Sequence, residues 1–114
     1  MEVAAKCEGR ELELFLQGEL DHHGAKGLLQ RLDREIETAL PLRLTLDFSA
    51  VTFMDSSGIA VLLRAWRRMS QVQGAMRVVN VPPQADKVFR AAGLQRIIRF
   101  EPGERQGAQP APRG

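Results

Sequence analysis

Apolar residues in this chain recur with a period of two, then with a period of about 3.6, and the exchange repeats along the first hundred residues. Leu12, Leu14 and Leu16 alternate with Glu13 and Phe15, which marks a strand with one strongly apolar face. Residues 2–7 read as a weaker strand before it, and Glu8-Gly9-Arg10 joins the two as a hairpin turn. From Ala25 the spacing is helical. Ala25, Leu28, Leu29, Leu32, Ile36 and Leu40 form one stripe, and Pro41 closes the helix. Leu42, Leu44, Leu46 and Phe48 return to a period of two. A second helix is expected from about Ser57 to about Gln73, with Gly74 as its stop. Its buried stripe reads Ile59, Leu62, Leu63, Trp66 and Met69. Residues 76–81 form a further strand, ended by Pro82-Pro83. A short helix follows with Ala85, Val88, Phe89 and Ala92 inward and Gly93 just past its end. RIIRF, residues 96–100, reads as the last strand.

Strands separated by helices need crossover connections and therefore pair in parallel, whereas the opening hairpin adds an antiparallel pair. The expected fold is α/β: one domain over residues 1–101, with a mixed sheet of four or five strands packed with helices. Residues 102–114 are rich in Pro and Gly and have little to bury, so they are expected to form a disordered tail.

Composition removes several classes of function. No apolar run approaches the ~18 residues of a membrane helix. The opening MEVAAKCEGRE lacks the apolar stretch of a signal peptide, so the expected location is the cytoplasm. Cys7 is the single cysteine and cannot form an internal disulfide. A net charge of +2 is too small to argue for nucleic acid. With five Phe, one Trp and no Tyr, stacking platforms for single strands are scarce.

Two segments look unlike simple connectors: GELDHHGAKG at residues 18–27 and FMDSSGIAVLL at residues 53–63. Each follows a strand and precedes a helix, and such loops gather at the carboxyl ends of parallel strands. If the two strands are neighbours, Asp21 and Asp55-Ser56-Ser57 come together. Asp55, Ser56 and Ser57 are all competent helix caps, and the plain reading is that one caps and the others turn. The functional reading presents a serine hydroxyl at the positive end of a helix. Free backbone N–H groups and the dipole would tolerate a phosphate there, and Gly58 would leave room for a partner.

Other chemistries fit less well. Asp21, His22, His23 and the serines supply the residue types of a hydrolase triad, but the G-x-S-x-G elbow is absent. Adjacent histidines aim at different points and make a poor metal site, and no Gly-rich phosphate loop is present. Neither a metal nor a cofactor is expected. Arg64, Arg67 and Arg68 read as a solvated helix face, with a patch for an acidic partner as the alternative.

GELDHH followed by a helix, and then LDFSAVTFMDSSGIAVLL, resembles the STAS-domain anti-sigma factor antagonists of sporulating bacteria. The resemblance extends from residue 1 to about residue 101, and RIIRF also fits. It implies a switch protein without catalysis of its own. The unphosphorylated antagonist binds an anti-sigma factor that is also a serine kinase and so frees the sigma factor. The kinase then phosphorylates the first serine of D-S-S-G, here Ser56, and the phosphoprotein lets go until a PP2C-type phosphatase resets it. By the same resemblance Asp55, Ser56, Ser57 and Gly58 form the partner surface, flanked by Asp21, in the control of sporulation transcription. Neither membrane nor direct nucleic-acid contact is implied. The chain departs from the pattern in GAKG, residues 24–27, whose two glycines weaken the start of the first helix. The alternative is a stress-response antagonist or signalling-scaffold module acting on a different switch kinase.

Overall fold

The computed structural model describes residues 1–102, and the expected tail lies outside them apart from Pro102. The chain runs β1 (Glu2–Glu8), β2 (Glu11–Leu20), α1 (His22–Ala39), β3 (Arg43–Met54), α2 (Ser57–Gln71) and β4 (Ala75–Val79). It ends with α3 (Pro83–Ala91), a 3-10 turn at Leu94–Arg96, and β5 (Arg99–Glu101). Gly9 turns the hairpin at a φ of 63°, a left-handed conformation that costs glycine little. β1 pairs antiparallel with β2, and every later pairing is parallel. The result is the expected mixed sheet, with five strands in the order β1-β2-β3-β4-β5.

That order decides where the helices lie. Strand–helix–strand crossovers are right-handed with few exceptions, so three in succession, each stepping the same way, place every helix on one face. The burial pattern agrees. Leu12, Leu14 and Leu16 of β2 and Leu44, Leu46 and Phe48 of β3 are buried in a single core with residues of all three helices. Phe89 of α3 meets Phe48 edge-on, ring centroids 5.6 Å apart, and closes the end of that core. The opposite face of the sheet carries Glu13, Phe15, Thr45, Asp47 and Arg77, none of them buried.

Several boundaries differ from expectation for identifiable reasons. α1 starts at His22 rather than Ala25, because Asp21 supplies a cap that the apolar stripe does not report. β3 runs past Phe48 to Met54. Register shifts against β2 break the inside–outside alternation around Ser49 and Ala50 while pairing continues. The last strand is Arg99–Glu101, with Ile97 in the turn and Ile98 in the bend before it. Gly93 does sit just past α3 in the left-handed region, at a φ of 77°. After α2 the left-handed residue is Gln73, at 56°. Gly74 answers a steric need instead, since a Cβ there would lie 2.9 Å from the Leu42 carbonyl oxygen.

The largest correction concerns α2. Its buried residues are Gly58, Val61, Leu62, Ala65 and Met69, whereas Ile59 and Leu63 are half-buried and Trp66 is 37% exposed. Gly58 and Ala65 let the helix approach closely, and a reading weighted toward large side chains passes over them. Ala92, expected inward, is exposed. The arginine face is also partly a seam. Arg64 reaches Asp33 of α1 at 2.9 Å, and Arg68 reaches Glu37 at 3.4 Å.

The orientation of α2 generates a mutational test. Leu62→Ala removes a side chain with 0% exposure and is expected to cost about 2–5 kcal/mol. Leu63→Ala, on the half-buried flank, is expected to cost distinctly less. Urea denaturation of both variants checks this, and equal losses would mean that α2 presents a different face to the sheet.

Candidate functional site

The site is built by the pairing of β2 with β3. Their register sets Leu20 beside Met54, the last residue of each strand. Asp21 and Asp55 are therefore successors on neighbouring parallel strands, and the Asp55 N–H donates to the Leu20 carbonyl at 3.2 Å. The two segments singled out from sequence do lie side by side.

Asp21 caps α1. Its backbone is extended, and Oδ1 accepts from the Gly24 N–H at 2.8 Å. That bond is the main reason its carboxyl titrates below the ordinary value of 3.8; its own backbone N–H, His23 and the Met1 amino group add to the effect, and desolvation opposes it. Gly24 has a packing role as well. A Cβ there would stand 2.6 Å from the Glu19 carbonyl oxygen, whereas Gly27 faces open space.

The second segment divides its labour unevenly. The Asp55 carboxylate accepts from the Ser57 N–H at 2.8 Å, and the Asp55 carbonyl accepts from Gly58 at 3.1 Å. Ser56 occupies the cap position of α2 but makes no side-chain capping bond, and its carbonyl accepts from Ile59 at 3.0 Å. Asp55 thus does the capping that any of three residues could have done. Ser56 is left exposed and Ser57 half-buried. The N–H groups of Ser57, Gly58 and Ile59 are already engaged, so three of the donors expected for a phosphate are taken, while the helix dipole remains. Gly58 is buried. A Cβ on it would collide with the Met54 side chain and sit 3.2 Å from Leu20 Cδ2, so the space it leaves is filled from within the molecule.

Two features escaped the sequence reading. Gln84, near the start of α3, holds the backbone of Met54 at two points. Its Oε1 accepts from the Met54 N–H at 2.9 Å, and its Nε2 donates to the Met54 carbonyl at 2.7 Å. No periodicity marks such a residue. The second is an apolar trail, with Phe53 45% exposed before the loop and Ile59, Leu63 and Trp66 continuing along α2. The size-weighted stripe assigns Ile59, Leu63 and Trp66 to the core; Ile59 and Leu63 do pack against its edge while half-buried, and Trp66 is exposed. His22 and His23 are exposed, and no hydrogen bond joins either to a serine among the described residues. Among those residues no group of three His, Cys, Asp or Glu side chains could hold a metal ion.

The STAS domain profile matches residues 2–107, and the chain belongs to that family. An anti-sigma F factor antagonist of Paenibacillus polymyxa is 32% identical over 83 residues, 73% of this chain and 71% of that protein. An anti-sigma-B factor antagonist of Bacillus subtilis is 25% identical over 107 residues, 94% of this chain and 96% of that protein. Among solved structures, the Bacillus cell fate determinant SpoIIAA in its phosphorylated form superposes with a TM-score of 0.71. It is 25% identical and matches 92% of this chain and 96% of that one.

The Asp21 cap predicts a pH dependence. A carboxyl whose folded pKa lies below the unfolded value stabilises the fold above that unfolded value, near 3.8, and loses the contribution as pH falls through the folded one. Asp21→Asn keeps a capping oxygen but does not titrate. The difference in unfolding midpoint between wild type and Asp21→Asn is expected to stay constant from neutral pH down to about 5. It should then change as the wild type loses stability at lower pH. A difference that stays flat down to pH ~2 would mean that Asp21 gains nothing from its charge.

Proposed function

We propose that this chain is an anti-sigma factor antagonist, acting by binding and not by catalysis. In this reading the unphosphorylated form binds, in the cytoplasm, an anti-sigma factor that is also a serine kinase, and so releases the sigma factor. Phosphorylation of Ser56 ends the binding, a PP2C-type phosphatase restores it, and the output is sporulation transcription. The observation that carries the reading is the state of Ser56: exposed at the start of α2, with its side chain used by no capping bond. Asp55 has taken the structural work, so the hydroxyl can be modified without undoing the helix. The family membership and the named relatives supply the partner class.

The site also suggests how a phosphate would act. It brings about 1.5–2 negative charges next to Asp55 and close to Asp21, on the surface a partner must cover. Burying such charge without a cation costs several kcal/mol. A sub-micromolar complex is held by only about 8–10 kcal/mol, so the loss weakens binding by orders of magnitude. The interface changes and the fold does not.

A second reading has one observation in its favour. The anti-sigma-B relative aligns over 94% of this chain, against 73% for the anti-sigma F relative, although at lower identity. A stress-response antagonist serving a different switch kinase fits that breadth.

The test is incubation with each anti-sigma kinase of the same genome and ATP, followed by peptide mass spectrometry and binding measurements. One phosphate on Ser56 is expected. Ser56→Ala should bind its kinase persistently, and Ser56→Asp should bind at least ~10-fold more weakly, about 1.4 kcal/mol. Phosphate on Ser57, Ser49 or Ser70, or tight binding by Ser56→Asp, would refute the assignment. The kinase that responds decides between the two readings.

A further inference from the structure

β3 outruns its neighbour. Pairing with β4 ends at Asp47↔Val79, whereas β3 continues to Met54 with only β2 beside it. The chain leaves the sheet at Asn80, whose φ is 59°, and Pro82-Pro83 lead into α3. This brings Gln84 over the strand edge that β4 has vacated. A backbone N–H only donates and a carbonyl only accepts, so a single side chain that satisfies both must carry a donor and an acceptor side by side. The primary amide of Gln84 does so at Met54, at 2.9 and 2.7 Å. One side chain stands in for a missing strand.

Met54 is the residue before Asp55-Ser56. On its other flank the Asp55 N–H is tied to Leu20, and the Met54 side chain is fully buried. We propose that Gln84 is a positioning residue for the modified serine: its two-point hold on Met54 fixes the start of the Asp55-Ser56-Ser57 turn and couples α3 to it. The proposal rests on the reading of Ser56 as the phosphoacceptor. Gln84 touches neither serine and acts through the Met54 backbone.

The hold on Met54 and the effect on Ser56 are tested separately. Amide hydrogen exchange by NMR on the protein alone reads the hold. In Gln84→Ala the Met54 amide is expected to exchange about five- to tenfold faster, the loss that one removed hydrogen bond implies, with circular dichroism unchanged. Gln84→Glu supplies a signature that general weakening cannot mimic. As a carboxylate it accepts from the Met54 N–H but offers the carbonyl no donor; when protonated it offers both. Its exchange rate relative to wild type at the same pH should therefore approach one as pH falls, while the Gln84→Ala ratio stays flat. Phosphorylation of Ser56 by the cognate kinase then reads the effect. Phosphorylation depends on how closely the Ser56 hydroxyl is held in the reacting geometry, so kcat/KM in Gln84→Ala should drop severalfold once the turn loses its anchor.

Unchanged exchange at Met54 in Gln84→Ala, or a Gln84→Glu ratio independent of pH, would overturn the hold. Faster exchange with undiminished phosphorylation of Ser56 would overturn the positioning role. A wild-type protein that accepts no phosphate from any anti-sigma kinase counts against the functional reading, and leaves the hold to be judged on Met54 exchange.

Discussion

The parallel pairing of β2 with β3 is the constraint from which the site follows. It alone carries the sheet to its far end, setting Leu20 against Met54 after β4 has turned away. Two chain segments more than thirty residues apart then emerge at one place, each with an aspartate as its first residue beyond the strand. Both carboxylates go at once to backbone N–H groups, on Gly24 and Ser57. An unpaired N–H at a helix start would cost free energy, and each aspartate removes one such cost within its own turn.

This use of aspartate frees the neighbouring serine side chain from structural work. Had Ser56 been the side-chain cap of α2, any modification of its hydroxyl would have cost the helix a bond worth about 1 kcal/mol. Asp55 accepts that bond instead, one residue earlier, and Gly58 then packs against Met54 with no side chain intervening. The serine is held by its backbone only. A group held in this way can change its chemistry while the elements around it stay in place.

The sequence reveals most of this arrangement where local pattern and tertiary demand coincide. The alternation of Leu12, Leu14 and Leu16 and the helical stripe from Ala25 to Ile36 predict their elements because burial on one face is all they require. Leu40, expected in the same stripe, instead caps the helix and is exposed. Asp55 is legible as one of three competent caps because capping is local, whereas the Asp21 cap goes unread because the helical stripe begins only at Ala25. The reading fails where the decisive fact is a distance across the fold. Val61 and Ala65 are buried, and Trp66 is not, because Gly58 and Ala65 admit the sheet on that side. The extension of β3 to Met54 is hidden by irregular register against β2. Gln84 is the extreme case, since its partner lies thirty residues away and is backbone, which leaves no mark on the spacing of side chains.

Placing every helix on one face leaves the other side of the sheet permanently wet. Beside the apolar Phe15 and Val79, that face carries charged and polar groups: Arg77 with Glu101 at 3.0 Å, Arg43 with Glu11 at 3.6 Å, and Asn80 against Asp47 at 3.3 Å. Exposed pairs of this kind hold the fold together only weakly. Their importance lies in what it would take to dry them, because any molecule stacking on the sheet must strip water from several charges at once. The β1 edge is guarded too, since Arg31 already occupies the Val3 carbonyl, one of the groups an incoming strand would need. A broad face that resists being covered in this way is closed to flat apolar partners, so the sheet is guarded by the water on it as much as by any side chain.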